Sequence, residues 1–497
     1  MSQHPTATAP SQRQFLGHPI GLWSVFWTEM CERLSYYGMR AILILFMVAT
    51  ASEGGLGYST ETSAAIYGLY TGFVYLLALP GGWIADKLWG QRRAVFVGGC
   101  IIALGHFSMA FHSEFFFFLG LILIVIGTGL LKPNVSTIVG ELYPEGGGRR
   151  DAGFSVFYSG INIGAFAGPL ICGYLGENVN WHLGFSAAGI VMVLGLIWYK
   201  ISENWLGDAG NYSGGDLGTP EYSQRRNVAF AVMGGVLILL VAFGYAVERG
   251  IFNISLTQIA ESLTGIILLL VAAFFAYLLL QPSLSGIEKK RLGVIFFLFL
   301  AVAVFWSGFE QAGSSMNLFA EDHTDRMIGS WEMPTSWLQS VNPLFIIILA
   351  PIMGILWTKL GSRSPSIPFK AFLGLVGLAV GFFVLAWGAA GTVEGGKVSP
   401  NWLVVTYFFH TVGELCISPV GLSAITKLAP KDRVGQMMGV WFIGTALGNV
   451  YAGLIAGRLE DLDPQPLFSA VGRNTIIAAA VALLLTPVIR KLTGGIK

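Results

Sequence analysis

Apolar segments long enough to cross a lipid bilayer recur along almost the whole chain. Hydrophobic residues make up 54% of the 497 residues and charged residues only 11%, whereas soluble domains are about 25% charged. A spanning helix needs about 20 apolar residues. The sequence predicts fourteen such helices, over residues 22–49, 63–85, 94–112, 115–140, 153–176, 182–201, 227–247, 259–281, 292–313, 338–360, 369–390, 401–427, 436–457 and 474–492. The chain is therefore predicted to be an all-α membrane protein.

The loops between these segments predict the orientation of the chain in the membrane. Alternate loops are rich in basic residues, such as Arg92 and Arg93, whereas the intervening loops hold few. By the positive-inside rule the basic loops lie in the cytoplasm, and an even number of spans then places both termini there. Residues 1–18 are polar and lack the apolar core of a signal peptide, so we expect them to be disordered.

Composition argues against several classes of function. The net charge of +1 offers no basis for binding nucleic acid. The four cysteines lie far apart in apolar segments and have neither disulfide nor metal-ligand spacing. The sequence contains no His-rich metal cluster, nucleophile elbow or phosphate loop. We therefore expect no enzyme activity and no cofactor.

The second half of the chain resembles the first. Pro133 is followed eleven residues later by Pro144, and Pro419 is followed eleven residues later by Pro430. Each pair leads into a basic loop and a glycine-rich helix; chance similarity is the alternative explanation. Repeated halves are typical of secondary transporters, whose substrate binds near the midplane between them. The predicted organisation is a disordered cytoplasmic N-terminus over 1–18, a six-helix bundle over 19–205, a linker with two inserted helices over 206–285 and a second six-helix bundle over 286–497.

Away from the loops, seven charged side chains fall inside the predicted helices. They are the acids Glu29, Glu32, Glu310 and Glu414 and the bases Arg33, Arg40 and Lys132. Such charges are costly in a bilayer unless they pair or face a polar cavity. Ion pairs that merely lock helices together are one explanation. Four acids against three bases leave one carboxylate without a partner, however, and that carboxylate can exchange a proton. Counting does not identify which acid this is.

The distribution of these charges indicates the kind of ligand. All three bases lie in the first half of the chain, whereas Glu310 and Glu414 lie in the second. A cavity between the halves would be positive on one wall and negative on the other, and would suit a zwitterion such as a short peptide. Amides at Asn162 and Asn342 could bind a peptide backbone whatever its side chains, or could instead join helices.

Several motifs resemble those of proton-dependent oligopeptide transporters. The segment from Glu29 to Gly38, with Glu32 and Arg33, is similar to the first-helix signature of this family. Phe157 to Gly164 resembles its fifth-helix signature, and Phe305 to Gln311 and Gly413 to Leu422 resemble those of its seventh and tenth helices. Gly81 to Arg93 also resembles a signature of the major facilitator superfamily, in which we expect Asp86 to pair with the loop arginines.

This resemblance implies a major facilitator fold of two six-helix bundles plus two inserted helices. It implies import of di- and tripeptides with protons by alternating access, across a bacterial inner membrane, by a monomer that uses no cofactor beyond the coupling proton. Nitrate or a peptide-like metabolite is the alternative substrate; Glu414 would repel an anion. The implied roles are Arg33 and Lys132 at the peptide carboxylate, Glu414, Asn162 and Asn342 at its amino terminus, Tyr37, Tyr75 and Trp441 in the pocket wall, and Glu29, Glu32 and Glu310 in proton coupling.

Overall fold

The computed structural model describes residues 13–212, 218–248, 251, 254–392 and 395–494 and is almost entirely helical. Its long and short helices, in chain order, are α1 Ile20–Val48, α2 Thr60–Leu76, α3 Ala78–Ile84, α4 Gln91–Ser108, α5 Glu114–Glu141, α6 Gly147–Asn178, α7 Trp181–Ser202, α8 Pro220–Glu248, α9 Leu256–Leu280, α10 Gly286–Phe309, α11 Ser315–His323, α12 Val341–Leu360, α13 Ile367–Ala389, α14 Asn401–Leu428, α15 Val434–Gly457 and α16 Pro464–Leu492.

A helix occurs at each of the fourteen predicted positions, so the predicted all-α membrane architecture is confirmed. Within the described ranges, eleven helical stretches are both long and apolar enough to span a membrane on those grounds alone. Helix α1 is not one of them, because Glu29, Glu32, Arg33 and Arg40 lie along its length.

Several helix boundaries differ from the prediction, and three of the differences have a clear physical cause. The segment over 63–85 is divided between α2 and α3, because Pro80 has no amide hydrogen and its ring clashes with the carbonyl four residues earlier. Helix α10 ends at Phe309, and a tight turn over Glu310–Gly313 leads into the short α11. Helix α16 begins at Pro464, ahead of the predicted 474. Its first turns carry polar residues on the exposed side and apolar residues on the buried side, so their mean hydropathy is too low to predict a spanning helix.

The helices pack as two bundles joined along one seam. In the first half α1 packs against α6 and α7, and α4 against α5; in the second half α13 packs against α14 and α16. The halves meet chiefly where α2 contacts α15 and where α6 contacts α12. At the α2–α15 contact a Cβ atom on Gly68 would lie 2.9 Å from the Cα of Gly453. Glycine therefore permits the close approach of the two backbones.

The two inserted helices, α8 and α9, lie between the two bundles in the chain. Helix α9 packs against both halves. One face of α9, including Ile267 and Val271, is buried against α2, α15 and α10. The Thr257 hydroxyl donates to the Glu61 carboxylate at the start of α2, at 2.8 Å. Leu280 on another face is 81% exposed, as expected for a side chain in contact with lipid.

Two local expectations are wrong. Residues 13–18 are not disordered: Gln14–Phe15 pairs antiparallel with His18–Pro19, and the resulting hairpin is attached to the first bundle by a 2.7 Å hydrogen bond between His18 and Tyr143. The rest of the predicted disordered segment, residues 1–12, lies outside the described residues. Asp86 accepts a hydrogen bond from Gln91 at 2.9 Å, while Arg92 donates to backbone carbonyls of the segment after α7. Arg92 therefore binds the backbone of that segment and does not pair with Asp86.

Candidate functional site

A cavity of about 140 Å³ lies between the two halves, smaller than the roughly 300–1,000 Å³ usual for small-molecule sites. Helices from both halves form its wall. Its lining is mainly aromatic and polar, with two acids and one arginine, and consists of Tyr37, Arg40, Tyr75, Tyr158, Ile161, Asn162, Ala165, Pro169, Trp306, Phe309, Glu310, Ala312, Gln339, Asn342, Pro343, Ile346, Tyr407 and Glu414.

One acid–base cluster lies on α1, just behind this wall. The Arg33 guanidinium donates to both carboxylate oxygens of Glu32, with a 2.6 Å bond from Nη2 to Oε1, and its Nε lies 3.3 Å from Glu29 Oε1. All three side chains are at most 2% exposed. The second oxygen of Glu29 has no hydrogen-bond partner among the described residues. One guanidinium therefore serves two carboxylates.

Lys132 supplies the second positive charge near this cluster. Its Nζ lies 4.2 Å from the centre of the Tyr75 ring, and Tyr75 lines the cavity. It also interacts electrostatically with Glu29 and Glu32. Two acids and two bases are neutral when all four are ionised, so a proton or an anionic ligand would disturb the balance. Within the described part of the chain, the Lys132 ammonium contacts the ring and no carboxylate pairs with it.

A second ion pair crosses from one half to the other. Arg40 Nη1 on α1 lies 2.9 Å from Glu310 Oε2, and the two side chains are 7% and 3% exposed. Glu310 opens the turn that interrupts α10, and Arg40 lies beside the rings of Tyr37 and Tyr67. Both members of the pair line the cavity. The pair therefore joins the two halves at the cavity.

The opposite wall carries Glu414 and the amide of Asn342, and a second amide, Asn162, faces them from the first half. Asn342 Nδ2 on α12 donates to Glu414 Oε2 at 3.4 Å and to Thr411 Oγ1 at 2.8 Å, both on α14. On α6, Asn162 Nδ2 donates to the Tyr158 carbonyl at 2.9 Å. This wall offers acceptor oxygens and one negative charge, which suits a cationic donor such as an ammonium group.

The structure brings most of the predicted site together. Six predicted residues line the cavity, namely Tyr37, Tyr75, Asn162, Glu310, Asn342 and Glu414. The α1 cluster and Lys132 adjoin it. Trp441 is an exception: its ring is buried against Gly421 in the core of the second half, so the prediction that it lines the pocket is not supported here.

Other lining residues were not predicted as site residues. The sequence does carry a signal for Arg40, because it lies one turn after Tyr36 on the same face of α1 as the other charged residues. Tyr158 and Trp306 lie inside two of the recognised motifs. Gln339 and Tyr407 belong to none of them, and no pattern in the sequence distinguishes them from core residues.

The cavity is closed at one end by contacts between the halves. Glu177 on α6 accepts hydrogen bonds from the backbone amides of Thr335 (2.6 Å) and Ser336 (3.0 Å), which precede α12. Trp337 and Ser340 donate to carbonyls of α6 at 3.0 and 2.7 Å. The other end carries exposed hydroxyl side chains on α5, α6 and α14, at Ser136, Thr137, Ser155, Ser159, Ser423 and Thr426. Polar side chains within a membrane-spanning region usually face water and not lipid, so we expect the cavity to open at this end.

Comparison with known proteins relates this architecture to one family. A model described as POT family matches residues 92–471. The peptide transporter YePEPT of Yersinia enterocolitica subsp. palearctica is 42% identical over 505 residues, covering 98% of both chains. A di-/tripeptide transporter of Lactococcus lactis subsp. cremoris is 34% identical over 499 residues, covering 98% of this chain and 99% of that one.

Solved structures agree with these relatives. A crystal structure of a peptide transporter POT in complex with sulfate has a TM-score of 0.89 and 39% identity, covering 97% of each chain. A POT family transporter in complex with 5-aminolevulinic acid has a TM-score of 0.89 and 32% identity, covering 96% of this chain and 98% of that one. The motifs, the two-bundle fold and these matches together show that this membrane protein belongs to the POT family, the proton-dependent oligopeptide transporters.

Proposed function

We propose that this protein imports di- and tripeptides together with protons by alternating access. The observation that carries the proposal is the cavity between the halves, closed at one end, with an acidic wall at Glu414 and a basic group beside Tyr75. Relatives named as peptide transporters support it. A zwitterionic peptide matches this charge separation, whereas a sugar would not need it.

The proposed substrate contacts follow from which groups have free hydrogen-bonding capacity. Glu414, with the oxygens of Asn162 and Asn342, would hold the peptide ammonium. Arg33 is already occupied by two carboxylates. Lys132, whose ammonium lies over the Tyr75 ring and forms no ion pair among the described residues, is the better candidate to attract the peptide carboxylate. Arg33 then acts by holding the acids that compete for Lys132.

Proton coupling is proposed for Glu29, Glu32 and Glu310. An acid that pairs with a base when ionised releases that base when it is protonated. Glu310 would release Arg40 and weaken a link between the halves, whereas Glu32 or Glu29 would release Arg33. A ligand or proton shifts a two-state equilibrium only by its differential affinity for the two states. Ion pairs that form in one conformation and not in the other would give the proton a different affinity for the two conformations.

We also propose that the protein resides in a bacterial inner membrane with both termini in the cytoplasm. The basic loops support this orientation. The open end of the cavity, with its exposed serines and threonines, then faces the cytoplasm, and the end closed by Glu177 faces outward. The structure would correspond to an inward-facing state.

A peptide-like metabolite is a second candidate substrate. A relative of 32% identity has been solved with 5-aminolevulinic acid, which also carries an amine and a carboxylate. Such a ligand would use the same acidic and basic groups. Nitrate fits less well, because Glu414 and Glu310 would repel an anion that has no positive end.

Uptake by the purified protein in proteoliposomes tests the proposal. Labelled dialanine should accumulate above its external concentration when an inward proton gradient is imposed and should only equilibrate without one. Excess 5-aminolevulinic acid or nitrate as competitor then distinguishes the substrate classes. Failure to take up dialanine under a gradient, with uptake of 5-aminolevulinic acid, would overturn peptide transport and support the second candidate. Dialanine accumulation without any gradient would overturn proton coupling.

A further inference from the structure

The orientation of the Asn342 amide determines what it can offer to a substrate. Asn342 lines the cavity, and both of its described hydrogen bonds use Nδ2, to Thr411 at 2.8 Å and to Glu414 at 3.4 Å. An amide has two N–H donors on nitrogen and an acceptor oxygen. With Nδ2 used in this way, Oδ1 is left to accept a hydrogen bond from the cavity side.

Thr411 decides this orientation because its own proton is already committed. Its hydroxyl donates to the Tyr407 carbonyl at 2.6 Å, one turn earlier in α14. A threonine hydroxyl has one proton and can otherwise only accept. Thr411 can therefore pair with the nitrogen of Asn342 but not with its oxygen. Thr411 is fully buried, so water does not offer a substitute partner.

Glu414 alone could not maintain the same orientation through a transport cycle. An ionised carboxylate accepts a hydrogen bond and so favours Nδ2, but its contact with Asn342 is the longer of the two. A protonated carboxyl group can donate, and would then favour the amide oxygen instead. The Thr411 contact has the same preference whatever the charge of Glu414.

The amide of Asn162, on the facing half, is also oriented by a partner that can only accept a hydrogen bond. Its Nδ2 donates to the Tyr158 carbonyl, which can only accept. Both cavity amides are therefore held with nitrogen towards the protein. Together with the Glu414 carboxylate, their oxygens provide three acceptors around one cavity, which matches the three N–H donors of a primary ammonium.

We propose that Thr411 is a positioning residue that fixes Asn342 with its oxygen towards the substrate, and that it thereby sets the preference for a free amino terminus. This inference rests on the proposed function. Thr411 does not line the cavity; it acts through Asn342. Its loss should leave the fold and the coupling acids in place and change recognition of the ammonium group alone.

Thr411→Val tests the inference, because valine has nearly the same shape but neither accepts nor donates. We expect the KM for dialanine uptake to rise about tenfold with kcat nearly unchanged, the scale of one hydrogen bond to a charged group. Thr411→Ser should restore wild-type KM. N-acetyl-dialanine, which has no ammonium, should bind weakly to the wild type and no more weakly to Thr411→Val. The preference for dialanine over N-acetyl-dialanine should therefore fall about tenfold in the variant.

Thr406→Val is the matched control. Thr406 is also fully buried on α14, but it donates to backbone carbonyls of Trp402 and Gly381 and not to an amide at the cavity. It should keep the preference for dialanine. If Thr411→Val does not fold, Thr411→Ala provides the same comparison.

The outcomes separate this inference from the proposed function. If wild-type protein does not take up dialanine, the proposed function fails first. If wild type transports dialanine and the Thr411 variants keep its preference over N-acetyl-dialanine, the positioning role is wrong. An equal loss for both ligands, or no recovery with serine, would mean that Thr411 is only structural and would also overturn the inference.

Discussion

Arg40 and Glu310 form a buried ion pair, 2.9 Å long, that joins the first half of the protein to the second. Removing one partner of a buried pair leaves an uncompensated charge and typically costs about 3–5 kcal/mol. If the halves separate at this contact, Glu310 must be neutralised and Arg40, which stays charged, must find another partner. Protonation of Glu310 meets the first requirement, and water or another acidic group would have to meet the second.

Glu310→Gln mimics a permanently protonated carboxyl group. We expect this variant to retain counterflow of dialanine, because exchange of bound peptide needs no release of the proton. It should lose uphill accumulation under an imposed pH gradient, because the empty carrier cannot discharge its proton. Both assays should be made on the same reconstituted protein, with the exposed acid Glu145 changed to Gln as a control. Normal accumulation by Glu310→Gln would remove Glu310 from coupling.

Glu32→Gln tests the other coupling acid in the same two assays. Glu32 makes the closest contact with Arg33, while Glu29 lies 3.3 Å from the same guanidinium. We expect counterflow to persist and accumulation to be lost. If Glu32→Gln and Glu310→Gln both concentrate dialanine, Glu29 becomes the remaining candidate on α1, and Glu29→Gln should then show the phenotype.

Lys132→Ala removes the basic group that lies over Tyr75. The nearby acids Glu29 and Glu32 would then be left with Arg33 alone, and the substrate carboxylate would lose its closest candidate cation. We expect proton-driven accumulation of dialanine to be abolished. Lys200→Ala, which alters an exposed lysine paired with Glu203, should be normal. Wild-type accumulation by the Lys132 variant would reduce its role to anchoring the helix.

Glu414→Ala tests the ammonium site directly. Loss of one partner of a buried charge contact costs about 2–5 kcal/mol, so dialanine affinity should fall at least about tenfold. Glu414→Gln keeps an oxygen acceptor for Asn342 but lacks the charge, and should also bind weakly. Binding to the detergent-purified, correctly folded protein is the measurement. Wild-type affinity in Glu414→Ala would place the ammonium elsewhere.

Glu177→Ala should weaken the closed end of the cavity. The carboxylate serves as a cap for the turn before α12, across the contact between halves, and hydrogen bonds to charged groups are worth about 1.5–3 kcal/mol each. We expect the population with this end open to rise about tenfold or more. The measurement is the distance distribution between spin labels at Ser52 and Ser330, with the native cysteines replaced.

Glu145→Ala is the control for that measurement, because its exposed pair with Arg149 contributes little to stability. An unchanged distribution in the Glu177 variant would show that Trp337, Ser340 and the helix contacts close this end without the carboxylate.

Hydropathy and local motifs were enough to predict the helices, because a spanning helix must be apolar over a fixed length whatever it packs against. Hydropathy did not predict the break at Pro80 or the early start of α16. The break depends on a single backbone clash. The start of α16 depends on which face of a helix with both polar and apolar residues packs against another helix. The motif residues could be identified from the sequence because each motif is contiguous in the chain.

Sequence by itself thus determined the membrane architecture, the seven charges within the helices and six of the residues that line the cavity. Tertiary structure decided which side chains meet: Arg40 pairs with Glu310, and Glu177 caps the turn at Thr335. It also packs Trp441 on Gly421, so that Trp441 is not among the residues that line the cavity. These contacts join residues far apart in the chain. Their geometry depends on how the helices rotate and approach one another, and no local spacing constrains that.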